Sequence, residues 1–87
     1  MQLSVELSMY PFNRDYVPSI KGFIDWLNQQ PGLRLQTVAS CTIVSGDYER
    51  VMEVLKDGFK HSVEQYGKAV FVAKFLPSFS LLPEQAA

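Results

Sequence analysis

The chain has 87 residues, and eight Lys and Arg against nine Asp and Glu leave a net charge of −1. With 47% hydrophobic and 20% charged residues, it has the makings of one globular domain rather than a disordered segment. It carries no basic stripe to recover counterion-release free energy, so neither nucleic acid nor an anionic membrane surface is expected as a partner.

Cysteine usage and the N-terminus narrow the class further. The single Cys41 cannot form an intramolecular disulfide, and no CxxC or Cys/His cluster offers a metal site. Met1 to Met9 alternate polar and apolar residues without a basic n-region, unlike a signal peptide. No apolar run approaches the roughly 20 residues of a spanning helix. The expectation is a cytoplasmic domain, residues 1–87, without metal or cofactor.

Residues 2–9 alternate strictly. Leu3, Val5, Leu7 and Met9 take one side, and Gln2, Ser4, Glu6 and Ser8 the other, which is a strand with one apolar face. Tyr10-Pro11-Phe12-Asn13 breaks the pattern. Asp15 is placed to cap a helix over 16–29, with Pro18 in its first turn and Pro31-Gly32 ending it. Leu33 to Ser45 is rich in Thr, Val and Ile and too long for one strand, so a hairpin breaking near Val38–Ser40 is expected.

Asp47 then caps a second helix, with Tyr48, Val51, Met52, Leu55, Phe59, Val63 and Tyr66 as its apolar stripe. Gly67 follows as the expected left-handed residue. Gly22 and Gly58 sit inside the two helices, at about 1 kcal/mol each relative to Ala. Residues 69–76 are a strand apolar on both faces, stopped by Pro77. The tail, 78–87, holds Phe79, Leu81 and Leu82, too apolar for a free terminus.

The order β-α-β-β-α-β with right-handed crossovers predicts an α+β, ferredoxin-like sandwich: a four-stranded antiparallel sheet with two helices on one face. The opposite face and the apolar tail would leave a patch larger than monomers tolerate. Self-association is therefore expected, as a dimer or tetramer.

Few residues point to catalysis. His61 stands with Asp57 and Glu64 on the polar face of the second helix and reads as a solvated surface group rather than a general base. Cys41, with no His or Lys near it in sequence, reads as an inert thiol rather than a nucleophile. Glu6 is the sharper candidate. It lies mid-strand, away from the helices and flanked by Ser4 and Ser8, where a carboxylate can accept hydrogen bonds from an amino-heterocycle. The plainer reading is a solvated strand residue.

Three other ferredoxin-like classes fit poorly. RNA-recognition modules need aromatics where this strand carries Ser4, Glu6 and Ser8. Heavy-metal domains need a CxxC where this chain has Tyr10-Pro11-Phe12-Asn13, and an acylphosphatase-like anion loop needs glycines around Arg14 that are absent.

Three segments together resemble the YkoF-like thiamine-binding family: Ser4 to Pro11, Ser40 to Tyr48, and Gly67 to Phe75. The likeness extends to about Pro77, leaving the tail as this chain's departure. It implies oligomers built through the sheets and non-catalytic binding of thiamine or its hydroxymethylpyrimidine moiety, on or beside the non-helical face near a subunit interface. On that basis Glu6 and Ser8, with Ser40 and Thr42 at the start of the third strand, are the polar candidates. Thr37 adds a hydroxyl, and Tyr10, Phe12 and Phe75 offer stacking surface. Two other classes stay open: a dimeric α+β-barrel enzyme, and an ACT-like regulatory module that binds an amino acid.

Overall fold

The computed structural model describes residues 1–83. Of the expected tail, 84–87 lie outside the described residues. The elements run β1 (Gln2–Pro11), α1 (Val17–Asn28), β2 (Leu33–Thr37), β3 (Thr42–Asp47), α2 (Tyr48–Tyr66) and β4 (Ala69–Pro77). They form one antiparallel sheet in the order β2-β3-β1-β4, the ferredoxin-like arrangement. β1 is central because the first crossover skips one strand position, which β3 fills by the β2–β3 hairpin, and the second returns β4 to the other side of β1.

The alternation of β1 survives in the packing. Leu3, Val5 and Leu7 are buried with Val44 of β3, Phe23 and Leu27 of α1, and Val51, Val54 and Leu55 of α2. Each such side chain contributes about 1.5–3 kcal/mol on leaving water. Phe23, Phe59 and Phe71 extend this core, with ring centroids 5.0 Å apart for Phe23–Phe71 and 4.5 Å for Phe59–Phe71.

Several local expectations are corrected. The cap of α1 is Tyr16 rather than Asp15, and it makes no side-chain capping bond. Asp47 does precede α2, but its carboxylate caps nothing, and β3 runs straight into the helix. Gly67 has a positive φ of 91° with ψ −167°, an extended mirror-side conformation open to glycine rather than the left-handed helical one.

The buried stripe of α2 also differs from the apolar reading. Val54, Gly58 and Ser62 face inward, while Met52 and Val63 lie exposed. The small residues mark where the helices cross. A Cβ on Gly58 would stand 2.8 Å from a ring carbon of Trp26, and one on Gly22 would run into the Tyr66 ring. Close approach of the helices offsets the propensity cost of both glycines.

Candidate functional site

Directly paired residues of an antiparallel sheet project to the same face, so the register fixes what the face opposite the helices presents. One row across it is Arg34 (β2), Ser45 (β3), Ser4 (β1) and Leu76 (β4). The next is Gln36, Ile43, Glu6 and Lys74. Beyond these, Ser8 pairs with Val72 and Tyr10 with Val70.

The first row is covered by the chain's own tail. Ser4 Oγ donates to the Phe79 carbonyl at 2.8 Å and accepts from the Leu81 N–H at 2.8 Å. Arg34 donates to the Leu82 carbonyl, to Ser80 Oγ and to Gln2 Oε1. The second row is open. There Glu6 meets Lys74 Nζ at 3.5 Å, with side chains 36% and 70% exposed, an ion pair of small worth in that setting.

A concave feature lies on the other side of the sheet. Between the sheet, α1 and the 38–41 loop is a cavity of about 140 Å³, lined by Leu7, Ser8, Met9, Ile20, Phe23, Ile24 and residues Thr37 to Thr42. That volume is close to the roughly 150 Å³ known to accept a single benzene ring. Thr42 pairs with Leu7 of β1 and with Thr37 of β2, so both threonines share the helical face with the core.

Their hydroxyls lie 3.3 Å apart. With one donating to the other, the pair keeps one free O–H and spare lone pairs for a guest. The loop is pinned at both ends. The Val38 N–H donates to the Cys41 carbonyl at 2.9 Å, and Ser8 Oγ donates to the Ser40 carbonyl at 3.0 Å.

The expected site residues therefore divide. Ser8, Thr37, Ser40 and Thr42 gather around the cavity. Thr37 and Thr42 face the helical side and Ser40 stands in the loop, while Ser8, which its pairing with Val72 turns to the open face, borders the cavity where it bonds the Ser40 carbonyl. Glu6 lies on the open face and does not line the cavity. Tyr10 and Phe12 are exposed and stand apart from it. Phe75 pairs with Val5, which turns its ring to the helical side of edge strand β4, away from both Glu6 and the cavity.

The apolar walls from Met9, Ile20, Phe23 and Ile24, together with Cys41, are not among the expected site residues. The one signal for them is the unmarked hairpin that leaves a gap beside α1. Ile20 and Ile24 also border a shallower apolar hollow of about 340 Å³ beside Tyr16, Val17 and Lys21. Lys21 is held by Asp25 at 2.6 Å, whose hydrogen bond and charge raise the lysine's pKa.

The cavity lining includes no Asp, Glu, His, Lys or Arg. His61 packs elsewhere, its ring centroid 5.5 Å from that of Trp26, so it is a packed group rather than the solvated one expected. Among the described residues, no three His, Cys, Asp or Glu side chains gather as a metal site, and no helix is long and apolar enough to cross a membrane.

Fold and site together define a ferredoxin-like βαββαβ fold with a cavity of about 140 Å³ between the sheet and the first helix. The chain belongs to the YkoF-related family, whose model matches residues 2–76. No curated protein sequence matches it.

Solved structures share the fold at low identity. A Streptococcus pneumoniae protein is 18% identical with a TM-score of 0.82, covering 93% of this chain and 91% of its own. A Thermotoga maritima protein, named as a candidate thiamine biosynthesis/salvage protein, is 18% identical with a TM-score of 0.77, covering 86% and 82%. A Methanocaldococcus jannascii hypothetical protein is 18% identical with a TM-score of 0.75, covering 90% and 81%.

Proposed function

We propose that this protein binds thiamine or its hydroxymethylpyrimidine moiety without transforming it, holding the pyrimidine ring in the cavity beneath α1. The observation that carries this reading is the cavity itself: about 140 Å³, with apolar walls and the Thr37–Thr42 hydroxyl pair at its edge. An aminopyrimidine edge offers both donors and acceptors, which is what two mutually bonded hydroxyls can serve. Family membership and the name of the Thermotoga maritima neighbour support the ligand class.

A binding role rather than catalysis is favoured by the lining, which holds a thiol but no acid or base beside it. Glu6 lies across the sheet, so in this reading it tunes the open face and does not touch the ring. The protein acts as a cytoplasmic homo-oligomer, a dimer or tetramer. Its subunits meet through the uncovered rows of the open face, where Tyr10, Val70 and Val72 are exposed.

A thermal-shift screen with hydroxymethylpyrimidine, thiamine and free amino acids tests the ligand class. Stabilisation by the pyrimidine compounds alone is expected. A shift with amino acids and none with pyrimidines would favour the ACT-like alternative.

A further inference from the structure

We propose that residues 78–83 are an intramolecular cap that occupies one end of the open sheet face and denies it to a second copy of the chain. This goes beyond the ligand reading and does not depend on it. Family likeness ends near Pro77, at the point where this segment leaves the sheet. The Ser78 N–H donates to the Gln2 carbonyl at 2.8 Å, and the residue takes a positive φ of 59°. That conformation is uncommon for a side chain larger than glycine, and here it turns the chain back across the sheet.

The segment then crosses the row Leu76, Ser4, Ser45, Arg34 in order from β4 to β2. Its backbone bonds Ser4 Oγ through the Phe79 carbonyl and the Leu81 N–H, and it reaches Arg34 through Ser80 Oγ and the Leu82 carbonyl. Ser4 is fully buried, although nothing but the tail lies over it on a face without helices. Leu81 and Leu82 are half-buried there as well. The tail thus places Leu81 and Leu82 against its own sheet, while the Phe79 ring stays 52% exposed.

The consequence is a sign. If the tail were an adhesive between subunits, loosening it would weaken assembly. As a cap, its release uncovers Ser4, Ser45 and Leu76 and strengthens assembly.

The test uses the full chain as wild type, Arg34→Ala and Ser4→Ala, with hydrogen exchange at the Leu81 amide and mass by sedimentation equilibrium on the same samples. A protected Leu81 amide is expected in the wild type, exchanging about tenfold faster in either variant. The mean mass should rise about twofold with it as a further interface becomes available. Arg34 sits half-buried on an edge strand, so its variant decides the matter alone if Ser4→Ala fails to fold. Three results would overturn the cap: an unprotected Leu81 amide in the wild type, unchanged exchange in Arg34→Ala, or faster exchange with equal or lower mass.

Discussion

Ser4 and Ser45, 41 residues apart in sequence, place their hydroxyl oxygens 2.7 Å apart on the face of the sheet that carries no helix. Both are fully buried. With the Ser4 proton given to the Phe79 carbonyl, Ser45 donates to Ser4 Oγ, which also accepts from the Leu81 N–H. Ser4→Ala removes two bonds that hold the tail and leaves the Ser45 hydroxyl without its partner, at a cost of about 1–3 kcal/mol. Urea denaturation should show that loss as a lower midpoint with an unchanged slope.

The helix crossing gives a second expectation. Gly58→Ala brings a methyl group to within 2.8 Å of Trp26, so the helices must separate or the indole must shift. Overpacking of this kind costs about 1–3 kcal/mol, opposite in sign to the gain that Gly-to-Ala gives in an exposed helix. Thermal unfolding of the variant reads it directly, and a raised midpoint would contradict the crossing described here.

His61 stacks on Trp26, the single tryptophan. His61→Ala should therefore shift the indole emission to the red by admitting water, with a stability loss of about 0.5–1.5 kcal/mol. Affinity for hydroxymethylpyrimidine should stay as in the wild type, because His61 does not line the cavity. Fluorescence and calorimetry on one sample separate the two effects.

Assembly through the open rows yields a charge-insertion test. Val72 is 56% exposed on the uncovered part of the face, so Val72→Asp should leave the fold intact and lower the mean mass toward the 9.9 kDa of a single chain. Light scattering that shows the wild type already at that mass would remove the oligomer from the reading while leaving the cavity untouched.

Much of the architecture was legible in the residues, and the exceptions have definite causes. The alternation from Leu3 to Met9 identified β1 and its two faces because one side is uniformly apolar. The hairpin between Leu33 and Ser45 was legible, but its register was not. No Asn-Gly or Gly-Gly turn fixes it, and a one-residue slip sends every side chain to the other face. Thr42 was accordingly grouped with Glu6, whereas it pairs with Leu7 and faces the helices.

Gly58 and Ser62 carry no hydrophobic signal, so the helix contact they form was read onto Met52 and Val63 instead. The apolar tail announced that it was covered. That it covers its own sheet depends on contacts to Ser4 and Arg34, which lie more than 40 residues away in sequence and leave no local pattern.

The central claim is that the ligand sits beneath α1 and not on the open face. Calorimetric titration of hydroxymethylpyrimidine into the wild type, Thr42→Val and Glu6→Gln tests it most directly, since the first variant keeps shape while removing a cavity hydroxyl and the second keeps shape while removing the open-face charge. Thr42→Val should weaken binding about tenfold, the equivalent of about 1.4 kcal/mol for one lost hydrogen bond, with Glu6→Gln indistinguishable from the wild type. Wild-type affinity in Thr42→Val together with a loss in Glu6→Gln would place the ligand on the other side of the sheet and contradict the assignment.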